Sequence, residues 1–228
     1  MSVECVIFDM DGVLLDSMRY HVEAWQKAFK PLGLSISADE VYRREGESWR
    51  KSTKDFLIMA EKMPTPALID KVFKERSNIF EVIFRPKVFK ETKNLLLALY
   101  KKDFRLALVT ATPRQDVENM LPANIIGLFE VMVCGGDTKK GKPHPAPYLE
   151  ALKRLKIRAE DAIVIENAPY GIESAKAAGI RCIAVATSLP KKHLKDADII
   201  LGSLKQLKLY FGDIDSSGID IKSSHSIF

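Results

Sequence analysis

The sequence predicts an α/β protein whose parallel β-sheet carries helices on both faces and is interrupted by an all-helical insert. Short apolar runs rich in β-branched residues recur along the chain, and helix-length amphipathic stretches lie between several of them. Residues 17–87 break this alternation with a long, charged stretch patterned at helical spacing. The 228 residues are 46% hydrophobic and 29% charged, which is ordinary globular usage and excludes a disordered, collagen-like or repeat-built chain.

The strands are predicted from six short apolar runs. The first run, residues 3–8, stops at a carboxylate, as a buried parallel strand does at its C-terminal end. The others cover residues 106–109, 131–134, 162–165, 182–185 and 198–201. Helices are predicted at residues 146–155 and 170–178, and Gly179 is placed where a helix C-cap is expected.

The insert shows a 3.6-residue apolar stripe typical of helices. The stripe contains Val22, Trp25, Phe29 and Leu32. Pro64 and Pro66 separate two helical segments, and Pro86 is the predicted exit hinge. We therefore expect a catalytic core from residues 1–16 and 88–212, a helical cap from residues 17–87, and a polar, loosely held tail at residues 213–228 with room for one edge strand.

The charge balance, the cysteines and the absence of long apolar runs limit which ligands the protein can bind and where in the cell it is expected. Lys and Arg number 35 against 30 Asp and Glu, a net +5 that favours small anionic ligands. Short lysine pairs without interleaved aromatic residues predict no nucleic-acid binding. The three cysteines, Cys5, Cys134 and Cys182, lie in apolar runs and are predicted to be core residues. With no signal-peptide pattern and no membrane-length apolar run, the expected location is cytoplasmic. The sequence does not specify an oligomeric state.

Asp9 and Asp11 follow the first predicted strand and are the strongest chemical signal in the chain. Carboxylates at the mouth of a parallel sheet face the crevice where such folds bind ligands. Two like charges placed together favour a divalent cation between them. The ordinary alternative is a solvated acidic loop.

Three further strand ends carry groups suited to a phosphoryl site. Thr110 ends the second predicted strand, and the small Ala111 after it lets backbone N–H groups approach an anion. Lys142 supplies a cation just before a helix, and Glu166 and Asn167 follow another strand. Taken singly, Thr110 is an ordinary turn residue and Lys142 an ordinary surface lysine.

Together, four ordered motifs resemble the haloacid dehalogenase superfamily. They are FDMDGVLLDS, LVTAT, KGKPHPAPY and VIENAPYGIESAKAAGI. The position of the insert, between the first and second motifs, resembles the helical-cap subgroup that includes β-phosphoglucomutase and many small-molecule phosphatases. The resemblance implies a Rossmann-like sheet under a mobile cap.

The resemblance also implies roles in phosphoryl transfer. Asp9 is the expected nucleophile, which forms an aspartyl-phosphate, and Asp11 is the expected general acid and base. An aspartate at residue 11 implies an oxygen leaving group. Thr110, the amide of Ala111 and Lys142 are expected to hold the phosphoryl oxygens.

A magnesium site is implied at the same place, with one departure from the family pattern. The expected ligands are Asp9, the backbone carbonyl of Asp11, and Glu166 with Asn167. Relatives usually carry an acidic pair where this chain has Glu166-Asn167. Because an amide ligates magnesium without neutralising it, we expect weaker metal binding, with Glu166 acting directly or through water.

Two cap residues are substrate candidates. His21 lies in a stretch similar to one of β-phosphoglucomutase and could tune Asp11, or it could cap a hinge or sit at the cap interface. Residues 46–50 resemble that mutase's phosphate-binding loop, but the arginine is displaced by one position to Arg50, and Trp49 takes its place. Arg50 is therefore either an anion contact or an ordinary surface arginine.

These observations favour a magnesium-dependent phosphatase that acts on a small phosphorylated metabolite such as a sugar phosphate. The alternative is a β-phosphoglucomutase-like phosphomutase, which the displaced arginine disfavours. A third hypothesis, a non-catalytic binding protein with a degraded site, is supported by Asn167 alone among the motif residues.

Overall fold

The structure, a computed structural model, describes residues 3–212 and contains a six-stranded parallel sheet. The strands are β1 (Cys5–Phe8), β2 (Arg105–Pro113), β3 (Val131–Gly135), β4 (Ala162–Glu166), β5 (Arg181–Val185) and β6 (Ile199–Leu201). Their order is β3-β2-β1-β4-β5-β6, and every neighbouring pair is parallel. The predicted α/β fold with a Rossmann-like core is confirmed. The predicted strand ends were less accurate, because β1 and β6 begin later and β2 continues past Thr110.

Helices cover both faces of the sheet. One face packs on α5 (Thr92–Tyr100), α6 (Arg114–Met120), α7 (Ala123–Ile126) and α10 (Leu204–Gly212), and the other on α8 (Ala146–Leu155) and α9 (Pro169–Ala177). Each face of the sheet has its own apolar core, and the central strand β1 contributes to both. Val6 and Phe8 pack in the core next to α5, and Cys5 and Ile7 pack in the core next to α8. This two-sided burial explains why the strands read as continuous apolar runs.

The insert between β1 and β2 is all-helical, as predicted. It contains α1 (Met18–Phe29), α2 (Ala38–Arg43), α3 (Trp49–Met59) and α4 (Pro66–Ile83), which share an apolar cluster of their own. Pro66 occupies the first turn of α4 behind the N-cap Thr65, which explains the predicted break. We call this helical unit the cap. Its predicted limits at residues 17 and 87 stay a prediction.

The remaining local predictions concern helix ends, cysteines and the tail. α8 has the predicted bounds, and Gly179, just after α9, adopts a positive φ of 75°. The three cysteines are buried and unpaired by disulfides. The predicted tail at 213–228, with its edge strand, lies outside the described residues. Within residues 3–212, no helix combines the length and the apolar character that a bilayer crossing requires.

Candidate active site

The carboxyl ends of three adjacent strands bring the predicted site residues together. Asp9 follows β1, Glu166 ends β4, and Thr110 lies in β2, and these strands are neighbours in the sheet. Parallel strands place their C-terminal ends at one edge, so residues distant in sequence meet there. Asp9, Asp11, Thr110 and Glu166 are all buried.

Lys142 connects two strand ends through a buried ion cluster. Its Nζ donates to Asp9 Oδ1 and to Glu166 Oε1, each at 2.6 Å, and to the carbonyl of Val109 at 3.2 Å. The hydroxyl of Tyr148, also buried, donates to Glu166 Oε1 at 2.7 Å. Burial acts to lower the pKa of Lys142, but the two carboxylates outweigh it and raise that pKa, which keeps the ammonium charged.

One carboxylate oxygen of Asp9 remains available. Asp9 Oδ2 is buried and has no hydrogen-bond partner among residues 3–212. Burial raises the pKa of Asp9 to about 8, an effect that Lys142 opposes. The charges of Glu166 and Asp11 raise the pKa of Asp9 further. Because Asp9 Oδ2 lacks a hydrogen-bond donor and lies among other carboxylates, it favours contact with a cation or an electrophile.

Asp11 is held by three donors. Ser17 Oγ donates to Oδ1 at 2.5 Å, Thr112 Oγ1 donates to Oδ2 at 3.1 Å, and His21 Nε2 lies 3.1 Å from Oδ1. Burial acts to raise the pKa of Asp11, but these hydrogen bonds reverse the effect and lower it. These three contacts give the carboxylate a fixed orientation.

His21 contacts Asp11, in agreement with the first of its two alternatives, and a cap arginine sets its tautomer. The guanidinium of Arg76 donates to His21 Nδ1. Because a guanidinium can only donate, Nδ1 is the acceptor and Nε2 carries the proton that is donated to Asp11, and burial also lowers the pKa of His21. Arg76 lies over the rings of Trp25 and Phe80, with its guanidinium carbon 5.3 and 4.9 Å from their centroids, and burial lowers its pKa to about 10.

Arg76 lines the cleft between cap and core, whereas Arg50 does not. Arg50 is 54% exposed at its side chain, pairs with Asp70 at 2.7 Å and lies over the ring of Trp49. It is absent from the lining of the cleft. The structure thus supports the surface alternative for Arg50, because the one-position displacement turns its side chain along the outside of α3.

A cap loop docks on the core at Lys142. The backbone of Glu47 bridges to that of Lys142, and Gly46 has a φ of +79° with the Lys142 side chain directly beside it. A Cβ on Gly46 would lie 2.5 Å from Cδ of Lys142, so only glycine fits here. Burial raises the pKa of the preceding Glu45 well above its usual range, and the charges of Asp11 and Asp9 add to the rise.

Thr110 and Ala111 line the cleft between cap and core, together with Lys142. Thr110 Oγ1 accepts a hydrogen bond from the amide of Thr112 at 3.1 Å. The pairing of β2 with β3 shifts between Val109 and Pro113, which separates this segment from its regular ladder. The cleft has a volume of about 1460 Å³ and also receives Glu45 and Arg76 from the cap.

The donor set at this edge fits a magnesium ion. Asn167 Oδ1 is buried and, like Asp9 Oδ2, has no hydrogen-bond partner in the described chain, while its Nδ2 donates to Ser188 at 3.0 Å. Oxygen atoms of this kind are the ligands that magnesium prefers. Within residues 3–212 no group of three or more His, Cys, Asp or Glu side chains is placed to hold a metal. Two local features reduce the number of carboxylates that converge here. The ammonium of Lys142 lies between Asp9 and Glu166, and residue 167 is an amide.

Sequence reasoning missed several residues that shape the site. Three of them, Ser17, Thr112 and Tyr148, lie within or next to the recognised motifs, so their polar side chains were an available signal. Glu45 and Arg76 come from the cap, and no local pattern indicated that they face the core.

Comparison with known proteins agrees with this geometry. Residues 6–185 match the family model described as haloacid dehalogenase-like hydrolase. The chain is 32% identical to a phosphorylated carbohydrates phosphatase of Thermotoga maritima, over 79% of this chain and 84% of that protein. It is 27% identical to validoxylamine A 7'-phosphate phosphatase of Streptomyces hygroscopicus subsp. limoneus, over 89% and 94% of the two chains.

A solved structure shows the same architecture. The β-phosphoglucomutase of Clostridium difficile superimposes with a TM-score of 0.80 at 26% identity, covering 92% of this chain and 95% of that one. Relatives thus include both phosphatases and a mutase, all of which act on phosphoesters. The chain therefore belongs to the haloacid dehalogenase-like hydrolases and is an enzyme of phosphoester chemistry.

Proposed function

We propose that this protein is a magnesium-dependent phosphatase that hydrolyses a small phosphorylated metabolite through an aspartyl-phosphate on Asp9. The observation that carries the proposal is the free Oδ2 of Asp9, beside the ammonium of Lys142 and near an Asp11 held by three donors. A nucleophile, a fixed cation and an oriented carboxyl group are the parts that phosphoryl transfer needs.

In the first step, the carboxylate of Asp9 attacks phosphorus, a new O–P bond forms, and the bond from phosphorus to the ester oxygen breaks. Lys142, the hydroxyl of Thr110 and the amide of Ala111 would stabilise the negative charge on the phosphoryl oxygens. The ester oxygen leaves with a proton from Asp11. This role requires bound substrate to raise the pKa of Asp11, which is the direction that a neighbouring phosphate dianion favours, against the lowering by its hydrogen bonds.

In the second step, water attacks the phosphorus of the aspartyl-phosphate, and Asp11 takes the proton from that water. Without bound substrate, the hydrogen bonds from Ser17, Thr112 and His21 favour the ionised form of Asp11, which is the form a base requires. The P–O bond to Asp9 breaks, and the products are inorganic phosphate and free enzyme. A positioned acid and base of this kind contributes about 10²–10⁴-fold.

Magnesium would be held by Asp9, the carbonyl of Asp11 and the amide oxygen of Asn167. Both oxygens of Glu166 already accept hydrogen bonds, from Lys142, Tyr148 and the amide of residue 167, which favours a contribution through water. When bound, the ion supplies positive charge to a site in which carboxylates outnumber cations. Because Asn167 adds no negative charge, affinity should be lower than with an acid at this position.

The substrate class is a phosphorylated carbohydrate or a similar polar metabolite. The names of the Thermotoga and Streptomyces relatives support this choice. A polar substrate is also compatible with the cap side of the cleft, where Glu45 and Arg76 offer an acceptor and donors.

A phosphomutase is the second candidate, and the cap charges disfavour it. A mutase must hold a second phosphate on the cap side while it turns the intermediate around. Two cap cations at the cleft, Arg44 and Lys51, are both paired with Glu47 and Asp55. Trp49 also stands where the mutase loop is expected to carry arginine. The Clostridium structure is the observation that keeps this alternative.

A metabolite panel tests the proposal. Purified protein with magnesium is given phosphorylated sugars, polyols and other small esters, and both released phosphate and isomerised product are measured. We expect phosphate release that EDTA abolishes, that Asp9→Asn eliminates and that Asp11→Asn slows strongly for alkyl phosphates. Isomerisation of glucose 1-phosphate and glucose 6-phosphate primed by a bisphosphate, without net phosphate release, would establish the mutase instead. Absence of any metal-dependent turnover would favour a non-catalytic binding protein.

A further inference from the structure

A second cavity lies on the boundary between cap and core and shares only Arg44 with the lining of the cleft. We call it the seam cavity. Its cap side is formed by Glu40, Arg43 and Arg44. Its core side is formed by Pro169, Tyr170, Lys192, His193 and Lys195. Its volume is about 610 Å³. Small-molecule sites commonly measure about 300–1,000 Å³, so the seam cavity has room for a metabolite.

The seam cavity carries positive charge that the protein does not neutralise. Within residues 3–212, no carboxylate lies within ion-pair distance of Arg43, Lys192 or Lys195. The single carboxylate of the lining, Glu40, accepts from Arg44 Nε at 2.8 Å. Glu40 therefore neutralises Arg44, while Arg43, Lys192 and Lys195 keep uncompensated positive charges. Because of these three charges, the cavity favours an anion.

The contact across the seam indicates where that anion would bind. Arg43 Nη2 donates to His193 Nδ1 at 3.2 Å, which joins two basic side chains from different parts of the molecule. The contact satisfies a hydrogen bond but leaves the guanidinium charge uncompensated. Arginine and lysine presented together are the usual protein groups for phosphate oxygens, since arginine supplies a planar fork and lysine a point charge.

The aromatic residue of the lining indicates that the ligand is organic. Tyr170 is half-buried at the core side of the cavity and offers a hydroxyl and a ring, and Lys51 Nζ lies over one face of that ring, 5.9 Å from its centroid. A free phosphate ion would use the cations and leave this surface and most of the volume without contacts. A phosphate attached to a carbon skeleton would use all of these groups.

We propose that the seam cavity binds an organic phosphate, with the phosphate group on Arg43, Lys192 and Lys195 and the organic part against Tyr170. Since its contacts come from both the cap and the core, such a ligand binds the arrangement in which the two parts touch better than an arrangement in which they separate. It would therefore shift the population toward the closed cap. This site is separate from the proposed catalytic centre and does not depend on turnover there.

Site-resolved NMR tests the proposal. The ¹⁵N-labelled full chain, in EDTA so that no metal-dependent turnover occurs, is titrated with glucose 6-phosphate and, separately, with inorganic phosphate. We expect saturable shifts of the amides of Arg43, Tyr170 and His193, with glucose 6-phosphate binding there about tenfold more tightly than inorganic phosphate. Raising the salt concentration should weaken both ligands.

A triple variant and a matched control define the outcome. Arg43→Gln/Lys192→Gln/Lys195→Gln should weaken the seam binding by about 100-fold or more, while the shifts of Thr110 and Ala111 in the cleft persist. The control, Lys93→Gln/Lys205→Gln/Lys208→Gln, removes three exposed charges from α5 and α10 and should leave the seam affinity unchanged.

Three results would overturn the proposal. They are the absence of saturable shifts at the seam residues, an equal loss of affinity in both triple variants, and equal affinity for the two ligands, which would remove the role of Tyr170. Because the readout is local, a negative metabolite panel with positive seam shifts would reject the proposed function and leave the seam site standing.

Discussion

Replacing Gly46 with alanine tests whether the cap loop controls the position of Lys142. Gly46 has a φ of +79°, and a Cβ there would lie 2.5 Å from Cδ of Lys142. Carbon atoms in contact are separated by about 3.5–4.0 Å, so the lysine must move by about 1 Å. Its Nζ now lies 2.6 Å from Asp9, and a shift of this size carries the contact beyond the normal range of about 2.7–3.2 Å.

The magnitude follows from that displacement. A 1 Å misplacement in an active site can lower turnover by about 100-fold. The left-handed backbone costs a non-glycine residue about 1–2 kcal/mol in addition. We therefore expect Gly46→Ala to lose about 1–2 kcal/mol in its free energy of unfolding and about two orders of magnitude in kcat.

Gly33 is a matched control in the same cap. It has a φ of +80°, and a Cβ there meets nothing within 4 Å. Gly33→Ala should lose a similar free energy of unfolding, measured by urea titration followed by circular dichroism, with kcat close to that of the wild type. Equal phosphate-release rates in the two variants would refute the reasoning, because backbone strain alone would then explain both.

Three other predictions follow from the site. Asn167→Asp adds a negative charge beside Asp9 and should lower the magnesium concentration at half-maximal activity; an unchanged midpoint would contradict a metal role for residue 167. Tyr148→Phe removes a buried hydrogen bond to Glu166 and should lower the free energy of unfolding by about 1.5–3 kcal/mol in urea titrations. An unchanged free energy of unfolding would mean that this hydrogen bond does not stabilise the fold. Arg76→Gln should reduce kcat/KM by about tenfold or more and Arg50→Gln by less than twofold, since only Arg76 faces the cleft; the reverse order in steady-state kinetics would refute this assignment.

The sequence was informative about the sheet because burial on both faces leaves continuous apolar runs. Each run ended near a polar group, and parallel pairing requires those ends to meet, so the grouping of Asp9, Thr110 and Glu166 at one sheet edge was predictable. Motif order and resemblance placed Lys142 at the phosphoryl site, but its contacts with Asp9 and Glu166 were not predicted. Strand ends were less predictable, as β2 continues through Thr110 to Pro113 where its pairing with β3 becomes irregular.

The cap side of the site was much less predictable. Helical periodicity shows which side chains enter the cap's own cluster, but it does not show how the cap sits on the core. Arg76 and Glu45 reach the cleft only through that placement, while Arg50, chosen from a loop resemblance, lies on the surface. The donors on Asp11 illustrate the same limit, because Thr112 reaches it from another strand.

The most direct test of the account is to identify the residue that becomes phosphorylated during turnover. The Asp11→Asn variant is mixed with magnesium and p-nitrophenyl phosphate, whose leaving group needs no proton from residue 11, and is then quenched in acid, digested and analysed by mass spectrometry. The account predicts one phosphoryl group on the peptide that contains Asp9, and none in the Asp9→Asn protein, which should also be inactive. Phosphate release that persists in Asp9→Asn, or a phosphoryl group on another residue, would contradict it.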